Sequence, residues 1–274
     1  MIATTVHNLQ FSGMAPHSMK ISHLSIDSHD RSNVHDSHIH SECEIYFNIT
    51  GDVSFMVEEK IYPIVPGSVI ITKPNEYHHC IYHSNTMHEH YWILFSCTGN
   101  QKLFDLFFNR TPGDRNLIVL LPEKANLLSQ IFDSLLSEDL PESKKYFYFF
   151  NMLDILENGA AGESAAMSQD VVDALKYISE NFSETIVLRD IAAGLHVSVN
   201  TLERHFKSQT GITMREYLSQ KRFANAARLL GESASVFEAY EKSGFSDYSH
   251  FISLFKKRFG VTPLTYQKRL HQSK

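Results

Sequence analysis

Cysteine is scarce in this chain: its 274 residues hold three, Cys43, Cys80 and Cys97. The number is odd and the spacing unpaired, which argues against a disulfide framework or a zinc site. A reducing cytoplasm is the expected setting. No run approaches the roughly 20 apolar residues of a membrane-spanning helix, so no membrane partner is expected. The opening MIATTVHNLQFSG lacks a basic segment followed by an apolar core and does not read as a secretory signal. A nucleotide-binding glycine loop is missing, and no pattern singles out a Ser or Cys nucleophile, so no enzymatic activity is expected. There is neither a low-complexity tract nor a solenoid repeat. With 43% apolar and 20% charged residues, the composition is that of an ordinary globular protein long enough for two cores.

Basic charge is in deficit overall, at a net −6, but the deficit is uneven. Residues 168–274 carry 15 Lys+Arg against 11 Asp+Glu, leaving 10 against 20 elsewhere from totals of 25 and 31. Only the C-terminal part suits an anionic partner.

Periodicity divides the chain in the same place. Up to about residue 120, short apolar runs alternate with turn-forming stretches: Glu44–Ile49, Val53–Val57, Ser68–Thr72 and His90–Ser96. Gly51-Asp52, between two of these runs, reads as a hairpin turn. Strands this short and regular suggest a barrel or sandwich. Glu123–Leu136 and Glu142–Leu156 then carry apolar residues at helical spacing, with Pro122 and Pro141 near their starts. The small, polar stretch Asn158–Ser168 reads as a linker.

Beyond it a helical pattern occurs twice. In the first copy Leu188, Ile191, Ala192 and Leu195 form one apolar face. A short turn follows, Ser198 fits an N-cap, and a second helix over Val199–Ser208 turns Leu202 and Phe206 inward before Gly211 stops it. In the second copy Ser235 and Glu238 have capping-box spacing, Gly244 supplies the turn, Ser246 or Asp247 caps, Phe251 and Phe255 face inward, and Gly260 stops the helix. Helix, short turn, helix is the helix-turn-helix pattern, here about 185–211 and 235–260. Met214–Leu230 is a long helix between the two.

The stretches YISENF, LRDIA, VSVNTLERHFKSQTG, YLSQKRFANAARLL, GFSDYSHFISLFKKRFG and TPLTYQK, in this order, resemble the DNA-binding domain of the AraC-type (AraC/XylS) bacterial transcription regulators. The resemblance implies that the second helix of each unit enters a major groove and that the long helix spaces the two about 34 Å apart. It implies base or phosphate contacts from Val199, Asn200, Glu203, Arg204 and Lys207, and from Tyr248, Ser249, Ser253, Lys256 and Lys257. Arg can bind guanine and Asn adenine through paired hydrogen bonds, whereas lysines more often meet phosphate. The second unit departs from the family pattern. Tyr240 falls where a small residue is usual, which would clash or force repacking, and Ser253 stands where arginine is common. That unit is expected to bind chiefly through phosphates.

His38, His40, Glu44 and Gly51 spell H-x-H-x3-E-x6-G, which resembles the first motif of a cupin barrel. Gly67–His79 resembles the second, with Asn75 or Glu76 where glycine is usual and His78 as last ligand. The fold expected is therefore α+β and two-domain. Residues 1–160 would form a cupin-like antiparallel β-barrel with two following helices, for sensing and dimerisation, and residues 168–274 an all-α DNA-binding domain. His38, His40, Glu44 and His78 either hold a divalent metal, line a ligand site or brace the barrel; the alternatives to a sensor are a metal-dependent cupin enzyme fused to a DNA-binding domain and a barrel that serves only dimerisation. Tyr46 and Trp92 join them as candidate ligand contacts, suited to stacking on a sugar ring, although Trp92 could equally be core. His79, His83, His88 and His90 read as surface or strand residues. The implied partners are double-stranded DNA, a small-molecule effector such as a carbohydrate, a second copy of the chain through the helices of 123–158, and RNA polymerase.

Overall fold

The computed structural model describes residues 3–10, 16, 18–26, 39–84, 86–96, 101–137 and 139–272. His38 and Cys97 lie outside the described residues. The chain divides into two compact units, one holding residues 41–165 with the strands that precede them, the other holding residues 166–274 and, by its contacts, His40.

The first unit is built on strands β1 (Ala3–Gln10), β2 (Ser18–Ile26), β3 (Cys43–Thr50), β4 (Val53–Val57), β5 (Lys60–Ile64), β6 (Ser68–Thr72), β7 (His78–Tyr82), β8 (His88–Ser96), β9 (Leu117–Val119) and β10 (Ala160–Ala161). They form a seven-stranded sheet in the order β1-β2-β8-β3-β6-β9-β10 and a three-stranded sheet in the order β5-β4-β7. The pairings between these strands are antiparallel. Runs such as CEIYFNIT and SVIIT are buried on both faces, so their apolar residues stand consecutively rather than alternating. One face of the large sheet presents Ile21, Ile45, Phe47, Val69, Ile71, Ile93 and Phe95. The other presents Tyr46 and Ile70, which pack against Val53, Phe55, Val57, Tyr62 and Ile64 of the small sheet.

Gly51-Asp52 is not a hairpin. β3 pairs with β6 and β8, whereas β4 pairs with β5 and β7, so the turn carries the chain from one sheet to the other. Gly51 is required there twice over: φ is +115°, and a Cβ would lie 2.5 Å from the His88 ring. The local hairpin joins β4 to β5 through Glu58-Glu59, where Val57 pairs with Lys60.

A short helix α1 (Asp105–Phe108) precedes β9, and α2 (Pro122–Leu135) and α3 (Glu142–Glu157) follow it. Leu128, Ile131, Phe132, Phe149 and Met152 cover the outer face of the large sheet. Phe132 lies over Tyr91 at 4.8 Å and Phe149 over Phe95 at 5.1 Å between ring centroids. The stretch read as a linker is in its first part the sheet edge. Ala160–Ala161 pair with β9, Gly162 N–H donates to Leu117 O at 2.8 Å, and Ala165 N–H donates to Ile61 O at 2.6 Å. Small residues suit this edge because a Cβ at Gly159 or Gly162 would run into Ile118 or Leu117.

The second unit is helical: α4 (Gln169–Asn181), α5 (Leu188–Gly194), α6 (Val199–Thr210), α7 (Met214–Gly231), α8 (Val236–Lys242), α9 (Tyr248–Phe259) and α10 (Pro263–Gln272). Capping boxes start α7 at Thr213 and α8 at Ser235. At 18 residues α7 is about 27 Å long. Its first half meets the first helix pair through Tyr217 against Phe206. Its second half meets the other pair through Phe223 against Phe245, Phe251 and Phe255. Tyr266 of α10 closes this core against Phe255 and Phe259.

Candidate nucleic-acid interface and buried polar cluster

Helices α6 and α9 match residue for residue at an offset of 49. Both have 12 residues, both start at a side-chain cap (Ser198, Asp247) and both end at a left-handed glycine (Gly211 φ 78°, Gly260 φ 72°). Leu202 and Phe206 are buried in one, Phe251 and Phe255 in the other. Of the residues singled out on α6, Asn200, Arg204 and Lys207 are exposed, while Val199 and Glu203 are half-buried. On α9, Tyr248, Ser249, Ser253, Lys256 and Lys257 are all exposed.

The turns preceding these helices use one conformation made by different residues. His196 has φ 56° and Gly244 φ 74°. At Gly244 a Cβ would come within 2.5 Å of Ser183 O, so glycine is obligatory there. Tyr240 does not disrupt the second pair. Ala239 takes the fully buried position, and the Tyr240 ring stays half-buried, edge-on to Tyr248 at 5.2 Å and tilted on Phe251 at 5.8 Å. This is the repacking that a bulky residue at position 240 calls for.

In the first unit, the face of the large sheet turned toward the small one is unexpectedly polar. Strand register puts Trp92 directly across from both Ser22 and Tyr46, Asn48 across from His90, and Glu44 across from Thr72; direct cross-strand partners share a face. Tyr46 is buried, and its hydroxyl lies 2.6 Å from His88 Nε2. Its ring stacks on His90 at 4.6 Å, and His90 stacks on His88 at 4.7 Å. Burial pushes the Tyr46 hydroxyl up and pushes both imidazoles down, His90 well below its ordinary value, so these groups are neutral. Ser22 Oγ, Asn48 Oδ1 and Nδ2, Thr72 Oγ1 and His90 Nδ1 are buried with no hydrogen-bond partner among the described residues.

His88 and His90 are strand residues of β8, as the sequence suggests, but buried ones that face Tyr46. The signal was present: His88, His90 and Trp92 alternate along one strand, so they face the same way. What local pattern could not supply was the partner strand carrying Tyr46.

His40, Glu44 and His78 place one ligand atom each within 4.8 Å of one another. Two imidazoles and a carboxylate suit a divalent transition metal. As arranged, however, His78 Nε2 lies 2.7 Å from Glu44 Oε2, while His78 Nδ1 meets Glu76 O at 2.7 Å. Burial opposes charge on His78, but the Glu44 carboxylate and the Glu76 carbonyl outweigh it and raise its pKa. The donor set therefore fits a metal in chemistry and an ion pair in geometry. Asn75 holds φ 62° where glycine is usual in the motif. Glu76 lies buried against Arg110, a pairing the sequence did not reveal.

Two family models match the chain. One, described as an AraC-like ligand binding domain, covers residues 21–147; the other, a helix-turn-helix domain, covers residues 191–269. The chain belongs to the AraC family. Relatives of this AraC-family chain include the HTH-type transcriptional activator RhaS of Escherichia coli O139:H28, 29% identical over 147 residues, 53% of each chain. RhaS of Citrobacter koseri is 35% identical over 109 residues, 39% of this chain and 38% of that one. The chain thus spans about half the length, or less, of the curated relatives it matches. The C-terminal domain of AraT, a response regulator from Geobacillus stearothermophilus, aligns with 38% of this chain and 88% of its own at 32% identity, with a TM-score of 0.37. The relatives and solved structures it matches are transcription regulators. Among the described residues, no helix is long and apolar enough to cross a membrane.

Proposed function

We propose that the chain is a ligand-responsive transcription regulator of the cytoplasm. The second unit, residues 168–274, binds double-stranded DNA through α6 and α9. The observation that carries this reading is the matched pair of capped helices with basic, exposed outer faces on one connecting helix. Arg204 and Asn200 read base edges, while Lys207, Lys256 and Lys257 meet phosphates. Val199, Glu203, Tyr248, Ser249 and Ser253 border the same surfaces. Fluorescence anisotropy with duplexes selected from a random library tests it. Sequence-dependent affinity supports the reading, and equal affinity for every duplex overturns it.

The first unit binds a small polar effector such as a carbohydrate between its two sheets. Support comes from the buried hydroxyl, amide and imidazole atoms that lack partners among the described residues, each worth about 1–3 kcal/mol when satisfied. Neutral His88, His90 and Tyr46, with Glu44, His40, His78 and Trp92 nearby, offer donors and acceptors to sugar hydroxyls. Saturation at about 100 times the dissociation constant adds ~2.7 kcal/mol to the bound state, so melting against mono- and disaccharides should reveal the effector as an upward shift. A second reading, that His40, Glu44 and His78 hold a divalent ion, is supported by their convergence. Metal analysis of protein purified from supplemented medium tests it, and less than one equivalent would exclude it. The outer helices α2 and α3, with Leu127 and Phe147 exposed, serve dimerisation in this account. RNA polymerase is the expected partner at a promoter.

A further inference from the structure

The matched helices α6 and α9 carry different chemistry at equivalent positions. At the offset of 49, Val199, Asn200, Glu203 and Arg204 correspond to Tyr248, Ser249, Ile252 and Ser253. The side chains able to bind a base edge through paired hydrogen bonds, Asn200 and Arg204, are each replaced by serine. What the second helix offers at its start is instead apolar. Tyr248, its first residue, is 41% exposed, and Phe237 at the start of α8 is 58% exposed. The two rings lie 6.0 Å apart, and Tyr240 packs against both, at 5.8 Å from Phe237 and 5.2 Å from Tyr248. Three aromatic side chains are thus held against one another at the surface of an otherwise polar helix pair. Such a patch marks a binding surface, and a ring already fixed by its neighbours loses little freedom on binding. Lys256 and Lys257 are exposed two turns further along the same helix, and the charge they add favours a polyanion over another apolar surface.

We propose that the second helix-turn-helix unit reads thymine by its 5-methyl group, through Tyr248 supported by Tyr240 and Phe237, while the first unit reads base edges by hydrogen bonding. The proposal rests on the DNA-binding reading above. Its chemistry is the apolar contact between a side chain and the methyl that only thymine presents in the major groove. The two halves of one binding site would then be recognised by different physics, one polar and directional, the other a matter of shape and desolvation.

The test starts from a duplex selected by the full chain from a random library. All thymines in one half-site, then in the other, are replaced by deoxyuridine, which removes the methyl and leaves every hydrogen-bonding group in place. In the half-site read by α9, each lost contact methyl should weaken binding about fourfold, the equivalent of ~0.8 kcal/mol per buried carbon. Arg204→Ala identifies the other half-site as the one whose base preference relaxes. Tyr248→Phe, which keeps the ring, should retain the sensitivity to deoxyuridine, and Tyr248→Ser should abolish it. Since Tyr248 lies at the surface, both variants should fold, and far-ultraviolet circular dichroism checks that they do. A selected site whose α9 half tolerates deoxyuridine without loss overturns the methyl-reading proposal and leaves DNA binding standing. The same holds if Tyr248→Ser binds both duplexes as the parent chain does, an outcome that would assign the aromatic patch to a protein partner. Failure to select any sequence would overturn the DNA-binding reading itself.

Discussion

Removing Arg110 should cost the first unit much of its stability. The Arg110 guanidinium meets the Glu76 carboxylate with both nitrogens, Nη1 to Oε1 at 2.7 Å and Nη2 to Oε2 at 2.6 Å. Gly113 N–H and Lys73 N–H donate to the same carboxylate at 2.7 and 2.9 Å. This network fastens the segment after α1 to the turn that leads into β7 and hence to His78. Arg110→Met keeps the aliphatic stem but leaves a buried carboxylate without its counter-charge, which costs about 3–5 kcal/mol. At roughly 2–4 °C per kcal/mol for a unit of this size, the melting temperature should fall by about 6–20 °C. Glu76→Gln should destabilise the parent chain, since it strands the guanidinium, but stabilise Arg110→Met, since it removes the stranded charge. The pH dependence follows the same logic. Burial pushes the Glu76 carboxyl up, yet the Arg110 hydrogen bonds and charge outweigh it and hold the group below its ordinary value. Its contribution is therefore complete above the unfolded carboxylate pKa of about 4.3 and is lost as pH falls through the lower folded value. Thermal melts followed by near-ultraviolet circular dichroism supply the readout. A loss under about 1 kcal/mol, or the same sign for Glu76→Gln in both backgrounds, would refute the reasoning.

The remaining predictions concern the second unit. Arg204→Ala should weaken the selected site by about 1–3 kcal/mol more than random DNA in competition binding, and equal loss on both would remove it as a base reader. Replacing Lys256 and Lys257 by glutamine should flatten the slope of log affinity against log salt by about 1.8, and an unchanged slope would exclude both as phosphate contacts. Gly244→Ala should cost about 2–5 kcal/mol in denaturant unfolding, combining the left-handed penalty with overlap on Ser183. His196→Gly at the equivalent turn should shift stability by under about 1 kcal/mol, because relief of strain and added freedom of the unfolded chain oppose each other. Comparable costs at the two turns would contradict the assignment of steric contact to one alone.

What could be read from sequence was whatever is encoded within one or two turns of chain. VSFMV and SVIIT declare themselves as strands, and their ends match the observed ones because turn residues flank them. The helix pairs were equally plain, since caps, apolar spacing and terminal glycines all lie within a dozen residues. What lay beyond that range depends on long-range pairing. Gly51-Asp52 looks like a hairpin locally, and only the long-range pairing of β3 and β4 with different sheets shows otherwise. GAAGESAAMS has the composition of a linker, but its small residues fit a crowded sheet edge. His88 and His90 are unremarkable in β8 until the register sets them beside Tyr46. The Glu76–Arg110 pair spans 34 positions and leaves no periodic trace. The cupin-like motif pointed to His40, Glu44 and His78, and these do converge, while His38 lies outside the described residues.

The central claim is that one chain grips DNA with two recognition helices. Hydroxyl-radical footprinting of the full chain on a selected duplex tests it most directly. Two protected patches on one face of the duplex, about 34 Å or one helical turn apart for each bound chain, are predicted. Lys256 and Lys257 substitutions should fade one patch and Arg204→Ala the other. A single patch per chain, or two that respond together to either substitution, would contradict the account.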